Sequence, residues 1–254
     1  MRLSSNTLAR LLGRPLPTDA PQSNRQQSSQ SLDLALLFDT TGSMFPYLTQ
    51  VRNKLSALAD EIYRAVPKTR IAVVAFGDYC DVGTTYVTKT VGLTGDIRAV
   101  ASFINGVEPT GGGDEPEAVE EALFEANQLQ WNIGSRRAVV LVGDAPPHGV
   151  IDSPSACQNG HSFKNEASQL GQKGVSVFTV QCADSEATTR AFRQIADLTG
   201  GKHLSLNTID DLIELLVAIC MRQVGLLDVY KEDLRKQGRL SVSKQKLLSE
   251  LSDD

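Results

Sequence analysis

No stretch of this chain is apolar for long enough to cross a bilayer. The apolar residues near the N-terminus are broken up by Arg2, Arg10 and Arg14, which also leaves no signal-peptide core. Cysteine is scarce and unpatterned. Cys80, Cys157, Cys182 and Cys220 contain no C-x-x-C pair and no regular spacing, so they signal neither a zinc knuckle nor a disulfide framework; they read as reduced, mostly buried thiols of a cytoplasmic protein. Positive charge is not in excess either. Twenty-five Lys and Arg stand against thirty Asp and Glu, and the part between residues 32 and 220 carries a net −9, which excludes a general nucleic-acid binder and suits a cation better than a phosphate. The glycine run at 111–113 lacks the G-K-[ST] ending and the preceding buried strand of a phosphate loop, and no G-x-S-x-G elbow is present. The three histidines, His148, His161 and His203, are scattered, and His148 reads as a loop-packing residue.

What is present is enough apolar sequence, 41% of 254 residues, for one large core. Residues 1–31 form a leader whose Pro, Gln and Ser content from Gly13 onward cannot repay the entropy of ordering. The run Leu32 to Phe38 predicts a strand buried on both faces. Met44, Leu48, Val51, Leu55, Leu58, Ile62 and Val66 then predict one face of a long helix ended by Pro67. Further strands are expected at Arg70–Phe76, Tyr86–Leu93, Ala138–Val142, Val175–Val180 and His203–Leu206, the first two joined as an antiparallel edge hairpin. Helices are expected at Asp96–Ile104, Pro116–Leu129, Ser162–Lys173 and Ala187–Leu198, and a last core helix from about Thr208. Pro116 and the acids Glu115, Glu117 and Glu120 would stand in the first turn of the second of these. The alternation implies an α/β fold, a doubly wound, mostly parallel sheet with one antiparallel edge strand and helices on both faces. In such folds ligands bind outside the carboxyl ends of the strands. Residues 225–254 form a charged helical tail, either solvated or partner-binding, after a domain spanning 32–224.

Immediately after the first strand, Asp39, Thr41 and Ser43 alternate around Gly42, whose freedom permits a turn that aims three oxygens at one point. One carboxylate and two hydroxyls are hard ligands, suited to Mg²⁺, Mn²⁺ or Ca²⁺. They neutralise only part of the ion's charge, so it can attract an external carboxylate. An aspartic protease is disfavoured by the inserted threonine in Asp39-Thr40-Thr41-Gly42-Ser43, and a phosphoaspartate phosphatase by Thr41 where a second aspartate would stand. Asp78 and Asp81 read as solvated loop carboxylates.

The D-x-T-G-S-M pattern after a buried strand resembles the metal-ion-dependent adhesion site of von Willebrand factor A domains. Three further segments agree: Thr110-Gly-Gly-Gly-Asp-Glu-Pro-Glu-Ala118, Val142-Gly-Asp-Ala-Pro-Pro-His-Gly149, and Phe192-Arg-Gln-Ile-Ala-Asp-Leu-Thr-Gly-Gly201. The resemblance runs over roughly residues 32–220. It implies a Rossmann-like fold and a divalent cation on Asp39, Thr41 and Ser43, with Asp144 as a direct or water-mediated ligand. A second loop would supply Thr110 or Asp114. The family usually offers a threonine there, and the sequence leaves both open. The function implied is a metal-dependent protein-interaction module, not an enzyme, that grips a partner's Glu or Asp side chain. It would serve as a cytoplasmic assembly or regulatory subunit, with no nucleic acid or membrane partner. The alternatives are a metal-dependent hydrolase, or a scaffold with an empty site whose tails make the contacts.

Overall fold

The computed structural model describes residues 31–53, 62, 66, 68–113, 115–152, 157–206 and 211–252. The leader, apart from Ser31, lies outside them, as do Leu55, Leu58, Pro67 and Thr208.

The apolar run after the leader becomes β1, Ser31–Asp39. It pairs in parallel on one side with β2, Lys68–Phe76, and on the other with β4, Arg136–Gly143. β3, Thr88–Thr94, runs antiparallel to β2 at the edge, as the short link between them implied. β5, Ser176–Gln181, and β6, His203–Ser205, extend the sheet in parallel beyond β4, so the strand order is β3-β2-β1-β4-β5-β6. The expected fold class is therefore the observed one.

β1 is central, and its alternating side chains supply two cores. Leu32, Leu34, Leu36 and Phe38 join the layer containing Met44, Leu48, Val51, Ile62 and Val66. Residues 45–53 of that segment are helical, here α1. The same layer takes Val100 and Ile104 from α2, Ile97–Gly106, and an apolar face of α6, Asp211–Gln223. Ala35 and Leu37 face the opposite layer, formed by α3, Val119–Gln128, α4, Phe163–Gln172, and α5, Glu186–Thr199. Among the described residues no helix is long and apolar enough to cross a membrane.

Two expectations need correction. α3 begins at Val119, not at Pro116. Tertiary bonds claim the preceding backbone: the Glu117 N–H donates to the Pro146 carbonyl at 3.0 Å and the Ala118 N–H to the Gly77 carbonyl at 3.0 Å. Glu120 and Glu121 thus occupy the first turn. The C-terminal segment is not a solvated tail. It forms α7, Leu227–Lys236, and α8, Val242–Glu250, whose Leu227, Leu234, Leu247 and Leu248, with Leu251, are buried in the same layer as α6. Arg222 Nε donates to the Leu251 carbonyl at 2.7 Å, and Lys244 Nζ lies 2.5 Å from Glu214 Oε1.

Candidate metal centre

The parallel strands end on one edge of the sheet, and Asp39 is the last residue of β1. Because Phe38 pairs with Val142, Asp39 lies beside Gly143 and just before Asp144. Asp39 is buried. Its Oδ1 accepts the Thr41 N–H at 2.9 Å and the Thr41 hydroxyl at 2.7 Å, so the turn folds back onto its own first carboxylate. Residues Gly42–Met44 make a single 3₁₀ turn that leaves Ser43 exposed at the rim. Burial raises the Asp39 pKa to about 7; the Thr41 bonds oppose this and the Asp144 charge adds to it.

The second loop is held against this turn from below. Thr110 donates its N–H to the Thr40 carbonyl at 2.9 Å, and its hydroxyl lies 3.4 Å from Thr40 Oγ1. Thr40 in turn accepts from Tyr86 at 2.9 Å and donates to the Phe76 carbonyl at 2.8 Å. The contacts of Thr110 are therefore those of a loop anchor. Asp114 lies outside the described residues.

Glu117 is the residue the sequence reading passed over. It is buried, and its Oε1 lies against Gly112, where a Cβ would stand 3.0 Å from it and 3.5 Å from Thr41 Cβ; Gly112 also has φ +70°. Its Oε2 has no hydrogen-bond partner among the described residues. Burial, then the charges of Asp39, Asp78, Asp144 and Asp81, push its carboxyl up to about 10. A carboxylic group in that condition is short of positive charge.

Asp78 and Asp81 are not solvated loop carboxylates, as the sequence suggested; both are buried. Asp81 accepts from the Gly111 N–H at 2.8 Å, the Gly112 N–H at 3.4 Å and the Asp78 N–H at 3.2 Å, and so clamps the glycine-rich loop. Asp78 Oδ1 lies 2.8 Å from His148 Nε2, and Asp152 Oδ2 lies 2.7 Å from His148 Nδ1. Burial would raise the Asp78 carboxyl, but the His148 bond leads those that hold it down at about 2. Burial would lower the His148 pKa, but its two carboxylate partners raise it to about 9. This cation is engaged on both ring nitrogens, and Asp39, Glu117 and Asp144 are left to repel one another.

All four cysteines are free, but only Cys157 and Cys220 are buried, so the expectation of mostly buried thiols does not hold. Cys182 lies near the centre, where burial and the charges of Asp144 and Asp39 keep it a thiol. The groups clustered with Asp39 that could bind a cation are thus oxygens. Asp39, Thr41, Glu117 and Asp144 fit a hard divalent ion, which would offset the mutual repulsion of the three carboxylates.

An open sheet with helices on both faces and a cluster of acidic groups at the carboxyl edge of its strands defines the class of this protein as a doubly wound α/β domain. The von Willebrand factor type A domain model matches residues 33–215, and the chain belongs to that family. A curated ariadne-like RING finger protein of Acanthamoeba polyphaga mimivirus is 24% identical over 217 residues, covering 81% of this chain and 21% of that protein. An alpha-protein kinase of Dictyostelium discoideum is 26% identical over 125 residues, covering 48% of this chain and 20% of that protein. The chain thus spans about a fifth of the length of these relatives. Among solved structures, proximal thread matrix protein 1 of the mussel byssus superposes with a TM-score of 0.58 at 18% identity, over 78% of this chain and 47% of that one. The same protein is also known with a zinc-occupied MIDAS motif, at TM-score 0.57 and 18% identity over 77% of this chain and 46% of that one. The pilus adhesin SpaC of Lactobacillus rhamnosus GG gives a TM-score of 0.59 at 14% identity, over 77% of this chain and 30% of the adhesin. At these identities the structures share the fold.

Proposed function

We propose that this protein is a metal-dependent interaction module, in which Asp39, Thr41 and Ser43, with Glu117 and Asp144, hold a divalent cation that captures a carboxylate of a partner protein. The observation that carries this reading is the buried Glu117 carboxyl, one oxygen without a partner among the described residues, set beside the charges of Asp39 and Asp144. The all-oxygen donor set favours Mg²⁺, Mn²⁺ or Ca²⁺ over softer ions. When bound, such an ion supplies a Lewis-acidic position open to an external carboxylate.

The chain's own residues divide the remaining work. Thr41 orients Asp39 through two hydrogen bonds, Asp81 and Thr110 fix the second loop, and exposed Ser43 stands where a partner would arrive. A MIDAS motif occupied by a divalent ion, zinc, in one structural neighbour and the naming of another as an adhesin support a cation site used for capture, though not the choice among ions. Binding without turnover is part of the proposal, because Ser43 has no base beside it in the sequence pattern. A cytoplasmic setting as a regulatory or assembly subunit is supported by the four free thiols and by curated relatives named for RING and kinase functions.

Calorimetric titration of Mg²⁺ and Mn²⁺ into metal-stripped protein tests the site. Saturable binding is expected in the native chain, abolished by Asp39→Ala and weakened at least tenfold by Glu117→Gln. Equal binding by the native chain and Asp39→Ala would overturn the centre. Unchanged affinity in Glu117→Gln would remove that residue from it.

A further inference from the structure

We infer that Glu121, Cys157 and His161 form a second metal site, separate from the Asp39 centre and suited to zinc or a similar borderline ion. One ligand atom from each of these side chains lies within 4.8 Å of the other two. His161 Nδ1 is 2.9 Å and Cys157 Sγ 3.5 Å from the same Glu121 Oε1. Bonds of about 2.0–2.3 Å from a tetrahedral zinc place its donors roughly 3.3–3.8 Å apart, so small side-chain adjustments bring the three atoms onto one ion. A thiolate, an imidazole and a carboxylate form a borderline set, in contrast to the oxygens around Asp39.

The elements bring these donors together for local reasons. Glu121 projects from the first turn of α3. Cys157 and His161 flank a tight turn in which the Gly160 N–H donates to the Cys157 carbonyl at 3.1 Å, and the His161 N–H reaches Cys157 Sγ at 3.1 Å. Phe124, one turn along α3, stacks on the His161 ring with centroids 4.0 Å apart and sets its orientation. Glu121 and Cys157 are buried, whereas His161 is part-exposed and offers a route of entry.

The proton donors around Glu121 and Cys157 are over-subscribed. The Tyr79 hydroxyl lies 3.0 Å from Glu120 Oε1, 2.9 Å from Glu121 Oε1 and 2.9 Å from Cys157 Sγ, and its single proton serves only one of them at a time. A cation on Glu121 and Cys157 resolves that competition and leaves the Tyr79 proton for Glu120, the outer-shell arrangement typical of metal sites. Three protein donors leave one tetrahedral position for water. Tyr79 belongs to the 3₁₀ turn Tyr79–Asp81, whose Asp81 clamps Gly111 and Gly112, so metal here braces the loop next to the Asp39 centre.

The test is titration of Co²⁺ into the metal-stripped full chain, read by the thiolate-to-cobalt charge-transfer band, followed by displacement with Zn²⁺. One equivalent of Co²⁺ should give the band in the native chain and in Asp39→Ala, which separates this site from the proposed adhesion centre. The band should vanish in Cys157→Ser and persist in Cys182→Ser and Cys80→Ser. His161→Ala should lower Co²⁺ affinity at least tenfold; with circular dichroism as the control for folding, it carries the test if Cys157→Ser does not fold. A folded native chain without the band, or a band that survives Cys157→Ser, overturns the inference.

Discussion

His148 shows how one side chain ties the loops at the carboxyl edge together. Its ring is buried between Asp78 and Asp152, and the His148 backbone N–H donates to Glu120 Oε2 at 3.2 Å. The pair sets a pH window. Asp78, held down at about 2, contributes stability that is complete above its ordinary value of 3.8 and is lost as pH falls through 2. His148, raised to about 9, contributes stability that is complete below 6.5 and is lost as pH rises through 9. The interaction is therefore fully present between about pH 4 and 6.5. His148→Gln should cost about 3 kcal/mol at pH 6, the range for breaking a buried ion pair, and much less at pH 10. Denaturant melts of both proteins at the two pH values check this. An equal deficit at both would show that His148 acts through packing alone.

At the scale of elements, the end of α5 illustrates how backbone proximity dictates residue type. Gly200 caps the helix with φ +65°, but a Cβ there meets nothing within 4 Å. At Gly201, a Cβ would stand 1.9 Å from the Val177 carbonyl oxygen of β5, backbone against backbone. Gly200→Ala should cost about 1 kcal/mol, the price of a left-handed conformation. Gly201→Ala should cost roughly 3 kcal/mol or prevent folding, because β5 must shift. Comparison of urea midpoints decides the order, and a larger loss at position 200 would contradict the packing described.

Across the whole molecule, α7 and α8 lie beyond the family match, which ends at residue 215, yet they share the core. Leu227, Leu234, Leu247, Leu248 and Leu251 are all buried there. Each buried leucine contributes about 2 kcal/mol relative to exposure, so deletion of residues 225–254 removes more than the molecule's margin of stability readily tolerates. The truncated chain should melt about 10 °C lower or more, or aggregate through the exposed face of α6. Scanning calorimetry checks this, and an unchanged melting temperature would mean that the two helices are dispensable to the fold.

The sequence by itself determined the strand–helix alternation, the antiparallel edge hairpin and the first turn of the candidate centre. Each is a local pattern: apolar runs with a period set by the backbone, and Asp39, Thr41 and Ser43 at alternate positions where one strand ends. The position of Asp144 beside Asp39 was legible because strand ends in a parallel sheet share one edge. Tertiary structure alone decided the rest. Glu117 reads as a helix-start acid until its backbone is seen drawn to Pro146, and Asp81 reads as solvated until the glycine-rich loop closes over it. Glu121 lies 36 residues from Cys157, and no local period links them. The C-terminal leucines display a helical spacing but not the surface they cover. Burial and charge environment depend on contacts between distant segments. A residue's type states what it can do, and the fold decides which neighbours are close enough to make it do so.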